Sequence, residues 1–368
     1  MKVLHVYKTS LRTTVGGVEV FIDALCRSTK ILGVNNTVFS LVDNRAIADE
    51  EFNGYNCSFA KQDISIASTG FSLSAFNKFR HLAKSADIIH YHFPNPFADL
   101  LDIVTDPKKP KLLTYHSDII RQRYLYQLYK PLQKVFLDRV DKIIVTSPNY
   151  FTSSDTLKKY ADKAAVIPIG IDAKKITKPR SKLRSELKRK LGDRFFLFVG
   201  ALRYYKGLKI AIQAVKDTNI ELVIAGIGSQ QRELKSYAIS NGIENVVFLG
   251  FVSEEEKRCL LDLCYGFVFP SHLRSEAFGI SLLEAAGHGK PLVSCEIGTG
   301  TSFVNDHNVT GFVVPPSDSN ALKKAMLSLL DDSSLASSMG KSARRRVLEL
   351  FTLESQAKSY YNLYSSVL

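Results

Sequence analysis

The sequence predicts an α/β protein built as two doubly wound domains, each a mostly parallel sheet covered by helices. Three observations point there. Short β-rich segments alternate with helical patterns along the chain. Several of those segments are nearly continuous apolar runs, as expected of parallel strands covered on both faces. The pattern is interrupted at "DAKKITKPRSK" (172–182), a polar, basic stretch containing Pro179, and then begins again. A chain of 368 residues is long enough for two or three separate cores.

In the first half the expected strands are 2–7 ("KVLHVY"), 36–42, 87–92 ("DIIHYH"), 111–116 ("KLLTYH"), 142–147 and 164–169. Helical patterns lie between them at 18–31, 71–84, 119–139 and 149–160. In the second half the strands are 195–200 ("FFLFVG"), 221–226, 246–251, 265–270 ("YGFVFP"), 291–296 and 311–316, with helices in the gaps and from about 320 onward. The resulting division is a first domain over 1–171, a linker over 172–182, a second domain over 183–350, and a terminal helix over 351–368 that packs back on the first domain. Ligands of open α/β sheets bind outside the carboxyl ends of the strands, so a cleft between facing domains is the expected site.

Hydrophobic residues make up 45% and charged residues 23%, which excludes a disordered chain. The net charge is +13. Residues 1–180 carry 26 Lys and Arg against 17 Asp and Glu, so the N-terminal half holds +9 of the excess. An anionic partner or a merely solvated basic surface would each account for it. The five cysteines form no CxxC pair and no zinc-like spacing with histidine, and read as reduced thiols of a cytoplasmic protein. The opening apolar run is too short for a signal peptide, and no stretch approaches the roughly 18 apolar residues of a membrane span.

The stretch "SEAFGISLLEAAGHGKP" (275–291) places two carboxylates, Glu276 and Glu284, in an otherwise small or apolar run beside a glycine turn. Charges are seldom put in such segments without a partner. Glu276 falls in the loop after a strand and Glu284 about one turn into the following helix. Gly279 permits close backbone approach, and the free N–H groups of a first helical turn form an anion site. Such a place could hold an anion on amides with a carboxylate on each side accepting from hydroxyls. The stretch "FVGALRYYKGLKIAIQA" (198–214) runs from a strand through a turn carrying Arg203 and Lys206 into a helix, a suitable arrangement for a diphosphate.

"EAFGISLLE" resembles the E-x7-E motif of the retaining GT-B glycosyltransferases of family four. "VGALRYYKG" resembles that family's phosphate-binding turn, and "VGGVEVFI" (15–22) its N-terminal glycine loop. The resemblance covers nearly the whole chain. "HYHFPNPFADLL" and "YHSDIIRQR" further resemble bacterial mannosyl- and rhamnosyltransferases of polysaccharide assembly. The resemblance implies that Glu276, with the amides of Phe278, Gly279 and Ile280, holds a donor sugar, and that Glu284 holds the ribose. It gives the diphosphate to Arg203 and Lys206 and sets His116, at the end of "KLLTYH", beside the donor sugar. Gly16 and Gly17 open the first helix toward the cleft, and the base passes along the backbone of Phe251 and Val252. One departure stands out: many members have arginine directly after the glycine of "VG", where this chain has Ala201, and Arg203 comes two residues later.

The implied reaction is transfer of a hexose with retention of configuration, with GDP-mannose the first choice of nucleotide-sugar donor and UDP-hexoses or GDP-rhamnose behind it. The implied acceptor is a glycan carried on a polyprenyl diphosphate. No D-x-D triplet occurs, so no metal and no cofactor are expected. Two other classes compete with this reading. A dehydrogenase needs a compact glycine fingerprint, and the loop after the first strand lacks it. A nucleic-acid partner is disfavoured because the cations are dispersed and no nucleic-acid module is present. The segment 119–140, rich in Arg, Lys, Tyr and Leu, is expected to face either an anionic membrane at the inner surface of the cell or the protein's own core. Pro131 is expected to split it into two helices.

Overall fold

The computed structural model describes every residue except 44–47, 68, 120–122, 177–178 and 180–181, so part of the expected linker lies outside the described residues. The chain divides into two units, 1–170 together with 353–368, and 171–352. Each of the expected strand segments contains a strand.

The strands of the first unit are β1 Lys2–Val6, β2 Asn35–Val42, β3 Glu50–Phe52, β4 Tyr55–Lys61, β5 Ile64–Ile66, β6 Thr69–Phe71, β7 Ile88–Phe93, β8 Lys111–Tyr115, β9 Lys142–Val145 and β10 Ala164–Val166. Its helices are α1 Gly17–Lys30, α2 Ser74–Ser85, α3 Pro96–Thr105, α4 Arg123–Arg139 and α5 Pro148–Ser153, with the C-terminal helix Leu353–Ser366. The main sheet runs β10-β9-β8-β7-β1-β2-β4-β3, parallel except for the β3–β4 hairpin. Central strands β7 and β8 are buried along their whole length, which explains their largely apolar runs and leaves their polar members, among them His90 and His92, inside the core.

The β3–β4 hairpin and α3 were not anticipated. The hairpin turns at Asn53 and Gly54, both with positive φ (50° and 83°), the conformation that an Asn-Gly pair adopts in a tight two-residue turn. Helix α3 starts at Pro96 behind Asn95, whose side chain accepts the Ala98 N–H.

Pro131 does not divide α4, contrary to expectation. A proline removes one backbone donor, and here the flanking turns are tied down independently. Phe136 and Leu137 are buried, Tyr129 donates to Asp99 of α3, and the Tyr126 hydroxyl donates to Gln133 across the proline at 3.1 Å. The outer side of α4 leaves Tyr124, Leu125 and Leu128 exposed. Among the described residues no helix is long and apolar enough to cross a membrane.

The C-terminal helix belongs with the first unit through two tyrosines that are 0% exposed. The Tyr364 hydroxyl meets His90 Nδ1 at 2.8 Å, and that of Tyr360 meets Thr114 Oγ1 at 3.0 Å.

In the second unit the strands are β11 Phe195–Val199, β12 Glu221–Ala225, β13 Val246–Gly250, β14 Gly266–Phe269, β15 Leu292–Cys295 and β16 Gly311–Val314. The helices are α6 Lys182–Leu191, α7 Leu208–Val215, α8 Gln231–Ser240, α9 Glu254–Leu263, α10 Ile280–Gly287, α11 Thr301–Val304, α12 Ser319–Asp331 and α13 Ser333–Leu350. The sheet is wholly parallel in the order β13-β12-β11-β14-β15-β16, the doubly wound order.

Buried Asp99 gives a stability prediction. Burial pushes its carboxyl up to about 8; the Tyr129 hydrogen bond opposes this, and neighbouring Asp102 adds to it. Between about pH 4 and about pH 8 the unfolded chain releases this proton while the folded chain keeps it, so stability falls as pH rises through that window. Thermal melts across that range should show the decline in the wild type and a flatter profile in Asp99→Asn. Identical profiles would contradict the assignment.

Candidate active site

In the second unit the winding of the sheet reverses between β11 and β14, which are paired neighbours. The loops leaving their carboxyl ends diverge there, at the position where ligands of such sheets bind. The loop after β11 ends in a short 3-10 turn, Tyr204–Lys206, and the loop after β14 carries Ser271 and Glu276. Two glycines make the approach possible. Gly207 has φ +66°, and a Cβ there would collide with the carbonyl oxygen of Pro270. Gly279 has φ +94°, caps α10, and a Cβ there would stand 3.0 Å from the Phe269 ring.

Between these loops Lys206 and Glu276 form a buried ion pair, each side chain 11% exposed. Lys206 donates to Glu276 Oε2, which also accepts from Ser271 Oγ at 3.2 Å. The Lys206 ammonium lies 4.7 Å from the Phe269 ring centroid. Glu276 Oε1 has no partner among the described residues, and neither do the backbone N–H groups of Phe278, Gly279 and Ile280. A fixed cation, an available carboxylate oxygen and successive free amides thus stand at one sheet edge. Chemically, they suit a ligand with a negative end and a hydroxyl-bearing end.

Glu284 is the fifth residue of α10, and its side chain is 26% exposed. Burial raises its carboxyl above the usual range, and the Lys257 ammonium, 2.7 Å from Oε1, works against that. Lys257, on α9, also pairs with Glu254 at 3.0 Å. Val252 is half-buried and Phe251 is 74% exposed; they follow β13 directly after Gly250, whose φ is +74°.

Arg203 is not gathered with Lys206. It is exposed and lines a cavity of about 470 Å³ together with Tyr204, Lys209, Gln230, Tyr237 and His272, whose walls include neither Lys206 nor either glutamate. Arg203 stands just before the 3-10 turn in extended backbone (φ −112°, ψ 153°) and is exposed, whereas Lys206 lies within the turn and is buried.

Gly16, Gly17 and His116 belong to the first unit. Gly16 caps α1 in extended backbone, and a Cβ there would press on the Glu19 carboxylate; at Gly17 the space is open. Glu19 is buried and accepts from Thr9. His116 follows β8, is 7% exposed, and has Nε2 3.1 Å from His92 Nδ1. Burial pushes its ring down to about 3, so it is a neutral imidazole.

Sequence reasoning missed Ser271, Lys257 and the histidines behind His116. Of these, His90 and His92 were legible in "HYHF", because alternate residues of a strand share one face. Ser271 and Lys257 carry no sequence signal.

A family model described as Glycosyl transferases group 1 matches residues 179–346, and one described as Glycosyltransferase Family 4 matches residues 15–175. The chain is 50% identical over 352 residues to the D-rhamnosyltransferase WbpZ of Pseudomonas aeruginosa, covering 96% of this chain and 92% of that protein. It is 45% identical over 368 residues to the O-antigen chain mannosyltransferase C of Escherichia coli, covering 100% and 99%. Among solved structures it superposes on sucrose-phosphate synthase from Thermosynechococcus elongatus with a TM-score of 0.82 at 21% identity, over 99% and 98% of the two chains. Anabaena HepE in complex with UDP gives 0.81 at 20%, over all of both chains. The likeness to these structures is one of fold, the GT-B arrangement of two Rossmann-like domains.

The ion pair itself is testable. Lys206→Ala leaves the Glu276 carboxylate buried without its cation and should cost about 3–5 kcal/mol in chemical denaturation. Lys206→Ala/Glu276→Ala should recover a large part of that loss. Additive losses in the double variant would mean that the two side chains are not coupled.

Proposed function

The chain belongs to glycosyltransferase family 4, and on that premise we propose that it transfers a hexose, α-mannose from GDP-mannose in the first place, to a glycan acceptor with retention of configuration. The observation that carries the reading is the Lys206–Glu276 pair at the switch of the second sheet, with Glu276 Oε1 and the amides of Phe278–Ile280 left available beside it. In the proposed step the bond from the anomeric carbon to the β-phosphate oxygen breaks. The acceptor oxygen bonds to the same face of the sugar, and its proton passes to the departing phosphate. The transition state is oxocarbenium-like, and negative charge grows on the leaving diphosphate. Lys206 and the first-turn amides of α10 would stabilise that charge, which is the work a metal does in other transferases; we therefore propose metal-independent transfer. Glu276 binds sugar hydroxyls, Glu284 binds the ribose, and Arg203 has at most a peripheral part.

The mannosyl choice is supported by the 45% identity over the full length with the O-antigen chain mannosyltransferase C. A second reading, GDP-rhamnose as donor, is favoured by the 50% identity with a D-rhamnosyltransferase. The likeness to the O-antigen chain mannosyltransferase C supports a place in O-antigen assembly, and on that reading the acceptor is a lipid-linked glycan. Contact with an anionic membrane surface is supported by Tyr124, Leu125 and Leu128, exposed on α4 beside Lys130 and Lys134.

Thermal stabilisation against GDP-, UDP-, ADP- and dTDP-sugars and NAD(P), without metal, tests the donor. A ligand at a hundred times its Kd adds about 2.7 kcal/mol. The expected result is a shift with one GDP-sugar that is lost in Glu284→Ala; a shift with NAD(P) alone would make the protein a dehydrogenase. Flotation with anionic liposomes should weaken in Lys130→Glu/Lys134→Glu, and unchanged flotation would remove the membrane contact.

A further inference from the structure

Four buried side chains form a single hydrogen-bonded line in the first unit, running from Asn36 through His5 and His92 to His116. Asn36 Oδ1 lies 3.1 Å from His5 Nε2, His5 Nδ1 lies 3.1 Å from His92 Nε2, and His92 Nδ1 lies 3.1 Å from His116 Nε2. The four residues are between 0% and 7% exposed. His5 is on β1, His92 on its direct neighbour β7, and His116 just past β8, so the line crosses three adjacent strands.

The direction of every bond in this line follows from its buried end. Asn36 Nδ2 donates to the Cys26 carbonyl and to Thr29 Oγ1, both at 3.0 Å. Thr29 uses its own proton on the Leu25 carbonyl at 2.7 Å, so towards Asn36 it can only accept. The amide is therefore fixed with its oxygen facing His5. An oxygen cannot donate, so His5 carries its proton on Nε2 and leaves Nδ1 bare. That bare nitrogen requires Nε2–H on His92, whose bare Nδ1 in turn requires Nε2–H on His116. The reverse assignment would set two acceptors 3.1 Å apart in a dry core, which costs the full desolvation of both. Burial holds each ring neutral, with His5 lowered to about 4 and His116 to about 3.

The same histidines could suggest a cation site, since ligand atoms of His5, His90 and His92 lie within 4.8 Å of one another. Every ring nitrogen of the three is already hydrogen-bonded within the protein. His90 meets Tyr364 at 2.8 Å and Thr114 at 2.7 Å, and the other two form the line just described. The cluster is satisfied by protein partners and leaves no lone pair for a metal.

We propose that Asn36, His5 and His92 are positioning residues that hold His116 as its Nε2–H tautomer, so that His116 Nδ1 is a permanent hydrogen-bond acceptor for a hydroxyl of the sugar substrate. The hydroxyl as partner rests on the transferase reading above; the tautomer rests on the geometry alone. His116 Nδ1 has no partner among the described residues. A bare imidazole nitrogen repels phosphate and carbonyl oxygens, so this position selects a donor group and cannot grip the diphosphate.

The test uses the full chain labelled with 15N-histidine, read by long-range proton–nitrogen correlation, beside steady-state transfer by the same variants. Wild-type His116 should show the pattern protonated at Nε2. His92→Phe, which removes the acceptor, should mix the two tautomers of His116 and lower kcat/KM roughly tenfold to a hundredfold. His92→Asn, which places an amide oxygen near the former Nδ1, should restore both. A wild-type His116 protonated at Nδ1, or at both nitrogens, overturns the proposal without any variant. Unchanged kcat/KM in His92→Phe overturns the positioning role. Transfer from no nucleotide sugar at all, with the Nε2–H pattern intact, overturns the transferase reading and the hydroxyl partner while supporting the tautomer.

Discussion

Parallel neighbours in a sheet cannot be joined by a tight turn, so each strand must be followed by a crossover, here mostly helical, that returns the chain to the same edge. Everything else in this protein depends on that constraint. It collects the loops leaving the parallel strands of each sheet at one edge. Where the winding reverses, it also opens a gap between two loops that belong to adjacent strands. Lys206 and Glu276 are seventy residues apart in the chain, yet each sits in the loop directly after one of the two strands flanking that gap. Their meeting follows from topology more than from any local preference.

A buried ion pair is a poor way to gain stability, because desolvating two charges offsets most of their attraction. Its presence at the switch point is better understood through what it leaves over. One carboxylate oxygen is taken up by Lys206 and Ser271, and the other stays available. The ammonium is held beside an aromatic ring, and the amides of Phe278–Ile280 after the same loop have no partner among the described residues. Such groups are ordered before any ligand arrives, so little reorganisation is needed when charge develops there. Glu284 shows the same arrangement on a smaller scale, with burial raising its carboxyl above the usual range and Lys257 opposing that rise.

The first unit solves a different problem. Its sheet places polar histidine rings where a core would ordinarily be apolar, and each has to be satisfied. Tyrosines of the C-terminal helix supply part of the answer, which gives that helix a specific docking site in addition to its apolar contact with α1. Asn36 supplies the rest and, because its own orientation is dictated by two acceptors, passes that direction through three rings to His116.

The sequence by itself determined the two-sheet architecture, the order of the strands along the chain, and the loops in which Lys206, Glu276, Gly279 and His116 stand. Those features are written in local periodicity, because a strand buried on both faces must be apolar throughout and a loop must break that pattern. The β3–β4 hairpin was legible too, in the pair Asn53–Gly54, though it was overlooked. Only the tertiary structure decided which cations share a site. Arg203 and Lys206 are neighbours in the chain, but Arg203 stays exposed in extended backbone before the 3-10 turn while Lys206 is buried within it. Lys257 and Ser271, which complete the two carboxylate partnerships, carry no sequence mark. The continuity of α4 through Pro131 was decided in the same way, by contacts on either side of the proline. The histidine line has the same origin: its direction is set by hydrogen bonds between strands distant in the sequence, and a local pattern holds no information about what stands across the sheet.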